Sequence, residues 1–439
     1  MKQDKYPIKE ILEKLNITEL NDMQMAALGA TEKSDNVVLL SPTGSGKTLA
    51  FLLPVFLGLK ENRKGIQSLI IAPSRELGLQ IEKVFKAMGT AFKVNCFYGG
   101  HDVKTELNSL LQPPAVLIGT PGRLAEHIRK ENFEVDTIHT LVLDEFDKSL
   151  EFGFEKDMEF IIGKLYNLHK RILTSATQSI DIPSYTGIVD PQEVSFLSEE
   201  APKGLTLKLV RSPLNDKLDT LLALLAQIGN EPTLVFCNHR ETVEQISKFL
   251  ASKRWVHDVY HGKLEQYERE KAIAKFRNGS TRILVTTDLA SRGLDIANMQ
   301  NVVHFHIPAT EEIYTHRNGR TARMDTEGQA YLIMSPEEYM PGYITSSPEE
   351  LKLDYGIVNP QNPAWATIHI TGGKKEKINK ADIVGLFMKK GSLLKDELGI
   401  LEVGDHHSYA AVKVGKAAKM VQLLGQEKIK GYRLKMEIV

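Results

Sequence analysis

Short apolar runs alternate with amphipathic stretches through the first part of the chain. Each run is almost continuously apolar, and the stretches between runs have helical periodicity, so the pattern predicts repeated β-α-β units. Strands of this kind belong to a parallel sheet covered on both faces, where ligands bind at the carboxyl ends of the strands. The runs are VVLLS (37–41), SLIIAP (68–73), AVLIGT (115–120), TLVLDEFD (140–147) and RILTSAT (171–177).

A polar segment, SEEAPKG (198–204), interrupts this pattern, and a second set of apolar runs follows it. The second set predicts another sheet of the same kind, so we expect two α/β domains in tandem. After QAYLIMS (329–335), a stretch with five prolines and paired serines is typical of a connector. The second set comprises TLVFC (233–237), DVYHG (258–262), RILVTTD (282–288) and VVHFHIP (302–308).

The last part of the chain has a different pattern, in which strand-like and helical stretches follow the order β-α-β-β-α-β. This order predicts a small α+β domain with an RRM-like fold. We therefore expect an α/β protein with two parallel-sheet domains and a small C-terminal α+β domain. The expected boundaries are 1–200 and 201–342 for the two sheet domains, 343–362 for a linker and 363–439 for the RRM-like domain.

Composition and charge narrow the functional class. The formal net charge of −1 conceals an asymmetry, because residues 363–439 carry 14 Lys and Arg against 8 Asp and Glu, a net +6, which leaves −7 for residues 1–362. A basic module on an acidic body favours an anionic partner, with nucleic acid first, although a solvated lysine-rich helix face would give the same count. The two cysteines, Cys96 and Cys237, lie far apart in apolar runs and are expected in the core.

The N-terminal residues, MKQDKYPIKE, show no basic region followed by an apolar run. We therefore expect neither a signal peptide nor a membrane span, and we expect a cytoplasmic protein with no membrane partner.

The segment SPTGSGKT (41–48) ends an apolar strand and opens an apolar helix, the context of a phosphate-binding loop. Glycines let backbone amides approach phosphate, and the helix N-terminus is positive. We expect Lys47 to reach the β- and γ-phosphates of a nucleotide and Thr48 to ligate Mg²⁺. The predicted nucleotide-binding residues of the loop are Thr43, Gly44, Ser45, Gly46, Lys47 and Thr48.

Two carboxylates, Asp144 and Glu145, close the apolar strand TLVL. A strand end beside a phosphate-binding loop is where a metal-bound nucleotide lies. We predict that Asp144 holds Mg²⁺, through water, and that Glu145 orients and deprotonates the attacking water. A solvated strand end is the alternative, and the nearby loop argues against it.

In the second domain, the segment HRNGRTAR (316–323) contains two arginines three residues apart. If the segment is helical, Arg320 and Arg323 lie on one face and could reach one phosphate together. Arginines of this kind stabilise the charge on a transferring γ-phosphoryl group. A solvated basic helix would have the same pattern.

Together these segments resemble the DEAD-box RNA helicases, in the family's motif order from Gln24 to Arg323. The resemblance implies two RecA-like domains, ATP and Mg²⁺ as cofactors, RNA as partner, and ATP-driven RNA unwinding. Further matching segments are PSREL (73–77), Gly99 with Gly100, TPGR (120–123), DEFD (144–147), SAT (175–177), Gln266 with Arg269, and TTDLASRGLD (286–295).

The resemblance also assigns residues to roles. It implies that Gln24 recognises adenine, that Asp295 contacts the ribose, and that Ser175 and Thr177 couple the ATP state to domain closure. The residues implied to line the RNA backbone path are Arg75, Gly100, Thr120, Arg123, Arg269 and Thr287.

Three positions depart from the family pattern. Phe146 stands where the family has alanine, and we hypothesise that it repacks the coupling to SAT without removing catalysis. Leu20 replaces a proline, and Tyr6 meets the upstream aromatic position only approximately, which puts strict adenine selectivity in doubt. Ala322 replaces a glycine, a change that helix propensity favours.

The tail resembles the C-terminal RNA-binding domain of the DbpA-like branch of this family, through IHITGGKK (368–375), ADIVG (381–385) and KIKG (428–431). This implies docking on a hairpin of large-subunit ribosomal RNA during ribosome assembly, with a pre-ribosomal particle as partner. We also expect the protein to be a monomer. Only Tyr409 is available on the central strands for base stacking, so phosphate and shape recognition is expected. The candidate lysines are Lys374, Lys375, Lys377 and Lys380, which could equally be solvated loop residues.

Two other functions share parts of this pattern. A DNA helicase or translocase has the same phosphate loop, acidic strand end and arginines, but the RNA-facing motifs and the tail argue against it. A non-catalytic RNA clamp would bind ATP with scarcely any turnover. Lys47, Glu145, Arg320 and Arg323 make the clamp the weaker alternative.

Overall fold

The computed structural model describes residues 6–42, 44–100, 102–177, 182–197, 204–291, 299–321, 327–345, 347–356 and 362–439. The chain forms two compact units, which meet in the sequence at residues 201 and 202. Among the described residues, no helix has the length and apolar character needed to cross a bilayer.

The first unit contains a seven-stranded parallel sheet in the order β3-β4-β2-β5-β6-β1-β7. Its strands are β1 (Asn36–Leu40), β2 (Ser68–Ile71), β3 (Val94–Phe97), β4 (Val116–Gly119), β5 (Thr140–Leu143), β6 (Lys170–Ser175) and β7 (Gln192–Ser195). Its helices are α1 (Tyr6–Leu15), α2 (Asp22–Lys33), α3 (Lys47–Gly58), α4 (Arg75–Ala87), α5 (Val103–Leu110), α6 (Pro121–Arg129), α7 (Phe146–Glu151) and α8 (Glu155–Lys164), and a 3₁₀ turn spans Ser184–Thr186.

Helices cover both faces of this sheet, as its apolar strands require. On β5, Val142 packs into one core layer, while Leu141 and Leu143 pack into the other. All three side chains are at most 2% exposed, which explains why the strand is apolar throughout rather than alternating. The edge strand β7, with only Val194 buried, has too weak a pattern to be recognised in the sequence.

The second unit begins with another seven-stranded parallel sheet, in the order β10-β11-β9-β12-β13-β8-β14. Its strands are β8 (Leu205–Arg211), β9 (Thr233–Phe236), β10 (Asp258–Tyr260), β11 (Ile283–Thr286), β12 (Asn301–His304), β13 (Gly328–Met334) and β14 (Glu349–Glu350). Its helices are α9 (Leu218–Ile228), α10 (Arg240–Ser252), α11 (Gln266–Arg277) and α12 (Glu311–Asn318), and a 3₁₀ turn spans Asp288–Ser291.

Part of the expected linker belongs to this second sheet. Strand β14 pairs in parallel with β8, and Leu351 and Leu353 pack against the same core. Ile344 is buried in a smaller cluster with Leu332. The prolines and paired serines of this stretch therefore conceal apolar positions at 344, 351 and 353, which pack against the second domain but are too widely spaced to form a periodic pattern.

The C-terminal part of the second unit is a four-stranded antiparallel sheet in the order β16-β17-β15-β20, with two helices on one face. This is the expected β-α-β-β-α-β order, with a small hairpin, β18–β19, inserted before the last strand. The predicted fold class is thereby confirmed for all three parts. The elements are β15 (Trp365–Ile370), α13 (Lys380–Lys389), β16 (Leu398–Val403), β17 (Ser408–Lys413), α14 (Val414–Leu424), β18 (Lys428–Ile429), β19 (Tyr432–Arg433) and β20 (Met436–Ile438), with 3₁₀ turns at Lys374–Glu376 and Lys395–Glu397.

Candidate functional site

The phosphate-binding loop follows β1 and leads directly into α3. Gly44 has a φ angle of 83° and Gly46 one of 92°, both in the left-handed region that glycine adopts without steric cost. A Cβ atom on Gly46 would lie 2.5 Å from Nε2 of Gln24. Glycine at this position therefore permits both the turn and the close approach of α2. Thr43 lies outside the described residues.

Lys47 and Thr48 form the first turn of α3. Lys47 is buried, and its Nζ donates a hydrogen bond to the carbonyl of Ser41 at 2.5 Å. Ser45 braces the loop, because its Oγ donates to the carbonyl of Pro42 at 2.8 Å. The ammonium group and the amides of the helix N-terminus together give the loop a positive potential suited to phosphate.

Gln24 lies at the start of α2 and is only 6% exposed. Asn21 caps this helix, and the two residues form a capping box, in which the Asn21 side chain accepts from the Gln24 amide at 2.9 Å. The same two side chains reach the phosphate loop. Asn21 Nδ2 donates to the carbonyl of Ser45 at 2.9 Å, and Gln24 Nε2 donates to that of Gly46 at 3.2 Å.

The two carboxylates follow β5 in different environments. Asp144 is 3% exposed and accepts a 2.5 Å hydrogen bond from Thr174 Oγ1 on the neighbouring strand β6. Burial, the largest effect, raises the pKa of Asp144, while the Thr174 hydrogen bond and the Lys47 ammonium oppose that rise. Glu145 has a φ angle of 45°, an unusual value for a residue with a Cβ, and it caps α7. Its amide donates to the same Thr174 oxygen at 3.2 Å.

Ser175 ends β6 beside the strand that leads into the phosphate loop. Its carbonyl accepts a hydrogen bond from the Ser41 amide at 3.0 Å. Its Oγ accepts from the Thr177 amide at 3.0 Å and lies 3.1 Å from Thr177 Oγ1. These contacts connect the start of the phosphate loop to the segment that carries Thr177.

The residues expected to contact RNA in the first unit follow β2, β3 and β4, which are adjacent in the sheet. Arg75 begins α4, with its guanidinium 4.3 Å from the ring centroid of Tyr98. Gly100 is exposed after β3 with a φ angle of 83°, and Thr120 follows β4 as the N-cap of α6. The residues expected to bind the nucleotide or to couple to it follow β1, β5 and β6, so the two expected sets lie in adjoining halves of one sheet's carboxyl edge.

Arg123 is held in a buried ionic network. Its Nε lies 2.9 Å from Glu106 Oε2, and its Nη1 lies 2.9 Å from Glu126 Oε2. Glu106 is 1% exposed, and its Oε2 is also 2.9 Å from His127 Nε2. Hydrogen bonds from Lys130 and Arg123 lower the pKa of the Glu126 carboxyl to about 2. The network fixes the orientation of the Arg123 guanidinium.

In the second unit, two residues expected to contact RNA come after β10 and β11, which are neighbours in the second sheet. Arg269 lies in the first half of α11, which follows β10. Thr287 follows β11, and its amide donates to the carbonyl of Tyr260 at 3.4 Å. Asp295 lies outside the described residues.

The expectation of one helix carrying Arg320 and Arg323 is wrong. Helix α12 ends at Asn318, and Gly319 caps it. Arg320 lies in the turn beyond, where its carbonyl accepts from the Met299 amide at 3.1 Å, and Thr321 forms a bridge with Met299. This pairing with the segment before β12 stops the helix from continuing. Arg320 is 3% exposed, and Arg323 and Ala322 lie outside the described residues.

The buried arginine within α12 is instead Arg317. It is fully buried and forms an ion pair with Asp288, at 2.5 Å from Nε and 3.0 Å from Nη2. It also donates to Asn238 Oδ1 at 2.8 Å and to the carbonyl of His306 at 3.0 Å. Arg317 therefore connects the segments that follow β9 and β12 to the 3₁₀ turn at Asp288–Ser291.

Comparison with known proteins follows the same division of the chain. Residues 21–183 match the DEAD/DEAH box helicase family, residues 216–325 the helicase conserved C-terminal domain, and residues 367–438 the DbpA RNA binding domain. The ATP-dependent RNA helicase DbpA of Escherichia coli (strain K12) is 31% identical over 440 residues, covering 98% of this chain and 96% of that protein. The chain belongs to the DEAD-box RNA helicases of the DbpA type.

Other comparisons agree. The DbpA helicase of Bacillus subtilis (strain 168) is 28% identical over 99% of this chain and 98% of its own length. Among solved structures, Mss116p bound to ssRNA and AMP-PNP matches with 26% identity and a TM-score of 0.67, over 76% of this chain and 73% of that one. S. cerevisiae Dbp5 bound to RNA and ADP BeF3, 24% identical, has the same fold, with a TM-score of 0.67 over 75% of this chain and 87% of that one.

In this DEAD-box helicase, the candidate lysines of the C-terminal domain form an exposed loop and helix start. Lys374, Lys375 and Lys377 lie in and after a 3₁₀ turn, and Lys380 begins α13. The amides of Lys374 and Lys375 donate to the carbonyls of residues 404 and 405 at 2.9 Å. A Cβ atom on Gly373 would lie 2.3 Å from one of these carbonyls. The backbone of the lysine loop is therefore held firmly, while its charged side chains project into solvent.

The departures from the family pattern differ in structural consequence. Leu20 is 3% exposed and belongs to the first core layer, so an apolar residue there is well accommodated. Phe146 is fully buried in the other core layer, with Leu143 and Met158. Its side chain is thus an integral part of the first domain's core.

Three residues that contact the candidate site were not singled out in the sequence: Asn21, Thr174 and Arg317. Asn21 could have been found from the Asn-x-x-Gln spacing of a capping box. Thr174 is a polar residue inside an apolar strand, which is a weaker signal. Arg317 has no local signal, because its partners Asp288 and Asn238 are distant in sequence.

Proposed function

We propose that this ATP-dependent RNA helicase remodels large-subunit ribosomal RNA during ribosome assembly, anchored to an RNA hairpin by its C-terminal domain. The observation that supports the helicase part of the proposal is the carboxyl edge of the first sheet, where the residues proposed to act on the nucleotide follow β1, β5 and β6 and those proposed to bind RNA follow the adjacent β2, β4 and β3. Ligands that bind at neighbouring strand ends of one sheet can change each other's affinity.

For the nucleotide, we propose that Lys47 binds the β- and γ-phosphates, with the amides of Thr43, Gly44, Ser45 and Gly46 around them. A bound Mg²⁺ would neutralise developing phosphate charge, and Thr48 and Asp144 would hold it. The donor set fits a hard cation, because both supply oxygen atoms and Asp144 is a buried carboxylate close enough to Lys47 to be affected by its charge.

For the chemical step, we propose that Glu145 accepts a proton from the attacking water. Glu145 has a left-handed backbone conformation, and its amide donates a hydrogen bond to Thr174 Oγ1 at 3.2 Å. The further proposed roles are adenine recognition by Gln24, ribose contact by Asp295, stabilisation of the γ-phosphoryl charge by Arg320 and Arg323, and coupling by Ser175 and Thr177.

For RNA, we propose that the backbone path runs along Arg75, Gly100, Thr120 and Arg123 in the first domain and along Arg269 and Thr287 in the second. Gly100 and Thr120 offer backbone groups at strand ends, and the arginines offer charge. ATP and RNA would favour one closed state together, so that binding energy separates the strands and hydrolysis resets the cycle.

For the setting, we propose a monomeric cytoplasmic protein acting on a pre-ribosomal particle. The support is the relationship to DbpA helicases along the full chain and the basic C-terminal domain. We also propose that the functional domains comprise residues 1–200, 201–342 and 363–439, and that residues 343–362 join the last two while strand β14 of this segment pairs with the second sheet.

The test compares ATP hydrolysis stimulated by overlapping fragments that tile large-subunit ribosomal RNA. A triple variant, Lys374→Glu, Lys375→Glu and Lys377→Glu, should lose stimulation by one fragment while it keeps stimulation by generic RNA. The matched control changes three exposed lysines elsewhere in the same domain by the same charge: Lys389→Glu, Lys395→Glu and Lys419→Glu. Equal stimulation of the wild type by every fragment would contradict a specific ribosomal target.

A further inference from the structure

Helix α11 of the second helicase domain lies on the sheet of the C-terminal domain. The sheet's inner face packs on α13 and α14 through Ile368, Ile370, Ala410 and Val412. The alternate residues Thr367, His369 and Tyr409 therefore belong to the opposite face, and they are at most 5% exposed. Helix α11 contacts β17, and on β15 Thr367 is covered by Asn278 and His369 by Tyr267.

A buried polar cluster lies in this contact, at the C-terminal end of α11. Asn278, directly after α11, donates from Nδ2 to Thr367 Oγ1 at 2.8 Å. Ser280 Oγ donates to Asn278 Oδ1 at 2.9 Å and lies 2.5 Å from Thr367 Oγ1. All three residues are at most 6% exposed. Because a misaligned arrangement would bury polar groups without partners, the cluster favours a single register between the two domains.

Aromatic and ionic contacts flank the cluster. The ring of Tyr267 lies 5.4 Å from that of His369 and 5.1 Å from that of His407. At the other end of α11, Arg277 Nη1 lies 3.4 Å from Glu402 Oε2. The docked surface therefore extends along the whole length of the helix.

This contact removes the sheet face from solvent. In RRM domains, aromatic side chains on the central strands stack against bases of single-stranded RNA. Here Tyr409 is 5% exposed and its ring lies 5.4 Å from that of His369, under α11. The exposed lysines at 374, 375 and 377 lie outside this contact.

The same helix carries a residue of the proposed RNA path. Arg269 and Arg277 are eight residues apart in α11, which corresponds to about 12 Å along a helix axis. One rigid element thus joins the RNA path of the second domain to the anchor domain.

We propose that α11 is a permanent docking surface for the C-terminal domain. The domain stays bound to α11 through its sheet face while the enzyme acts on RNA. The positioning residues are Asn278, Ser280 and Thr367, which set the alignment of the C-terminal domain on α11. The docked face takes no part in binding RNA. The proposal rests on the proposed anchoring function, and its first test is independent of that function.

The first test is a disulfide between Ser280→Cys and Thr367→Cys in the full chain. The two hydroxyl oxygens are 2.5 Å apart, close to a sulfur–sulfur bond of about 2.05 Å. Oxidised glutathione would accept the two electrons and the two thiol protons and would leave as two molecules of reduced glutathione. The native Cys96 and Cys237 are buried, and burial raises the pKa of both thiols, so background reaction should be small. Failure of the bond to form would overturn the docked geometry.

The second test asks whether the locked enzyme works. With large-subunit ribosomal RNA as the probe, the oxidised double variant should keep its ATPase kcat and its KM for RNA within about twofold of the reduced form. A loss of about tenfold or more, reversed by dithiothreitol, would show that the domain must leave α11, and would overturn the proposal.

An undocking variant gives the complementary measurement. Thr367→Arg places a charge in the buried cluster, and it should lower duplex unwinding on the same RNA by about tenfold while RNA affinity stays within about twofold. The matched control is Glu268→Gln, an exposed position on α11. Unchanged unwinding by Thr367→Arg, in protein shown by far-UV circular dichroism to be folded, would contradict a positioning role.

Discussion

Asp144 and Glu145 are consecutive residues whose environments separate their proposed tasks. Asp144 is buried against Thr174 and within electrostatic range of Lys47, an arrangement that suits a fixed cation ligand. Glu145 occupies a left-handed backbone conformation that costs on the order of 1 kcal/mol for a residue with a Cβ. Strain of this kind at a strand end is consistent with a side chain placed for chemistry.

Gly46 provides the first prediction. Gly46→Ala should weaken ATP binding by about tenfold or more, because its φ angle of 92° disfavours alanine and the new Cβ would lie 2.5 Å from Gln24 Nε2. The measurement is titration with a fluorescent ATP analogue. The control, Gly58→Ala at the end of the same helix, has nothing within 4 Å of the new Cβ. Equal affinities for the two variants would contradict the role assigned to the loop.

His304 predicts a pH dependence of stability. Burial, with a smaller effect from the Arg317 guanidinium, lowers its pKa to about 3. The unfolded chain takes up this proton near pH 6.5, whereas the folded domain does not take it up until about pH 3. Unfolding free energy therefore falls as pH decreases through this window, by about 2 kcal/mol from this residue between pH 6.5 and pH 5.

The measurement is urea unfolding at pH 7 and pH 5, followed by the fluorescence of Trp255 in the core of the second sheet. A Trp365→Phe background leaves Trp255 as the one tryptophan. His304→Gln should reduce the difference between the two pH values, while His239→Gln, at an exposed position, should not. An unaltered pH difference in His304→Gln would exclude His304 as its source.

At this scale, the sequence predicts residues whose chemistry is local and misses those whose partners are remote. Lys47 follows from the loop in which it lies, and Asp144 from the strand that it ends. Thr174 acquires its role only because β6 is adjacent to β5, and Arg317 only because Asp288 folds back on it. Neither adjacency is encoded in local spacing.

Among the elements, α7 departs from the family pattern at its first residue. The helix begins with Phe146, fully buried between β5 and α8 residues of one core layer. The sequence pattern places a bulky side chain there but cannot indicate whether it points toward the core or toward the coupling segment at residues 175–177.

Phe146→Ala should therefore destabilise the first domain by about 3 to 5 kcal/mol, since truncation of a buried phenylalanine leaves a cavity. Differential scanning calorimetry of the full chain is the measurement. Phe152→Ala, at the exposed aromatic position after the same helix, is the matched control and should cost far less. The ratio of ATP hydrolysed to duplex unwound tests the coupling hypothesis in the same variant, and an unchanged ratio would reject it.

Helix α12 and the connector show where element prediction failed. The helix ends at Asn318 because residues 319–321 pair with the segment at Met299, a contact distant in sequence. The connector folds onto β8 through a strand of two residues, too short to produce a period. In contrast, the long apolar strands and their crossover helices were predictable, because burial on both faces makes them apolar throughout.

The whole molecule comprises two parallel-sheet helicase domains and a basic C-terminal domain that we propose as its RNA anchor. Two other functions are distinguishable from it by measurement. A DNA translocase would be stimulated as well by DNA as by RNA, since only contacts to the 2′-hydroxyl separate the two nucleic acids. An RNA clamp would bind ATP and RNA but would not turn over ATP.

The most direct test of the central claim is steady-state ATP hydrolysis with no nucleic acid, with single-stranded RNA and with DNA of equal length, for the wild type and Glu145→Gln. We expect RNA to stimulate the wild type well above DNA, and Glu145→Gln to lower kcat by about 100-fold or more while ATP still binds. The control is Glu159→Gln on the exposed side of α8, which should behave as the wild type. Equal stimulation by DNA, or RNA-stimulated turnover that survives Glu145→Gln, would contradict the account.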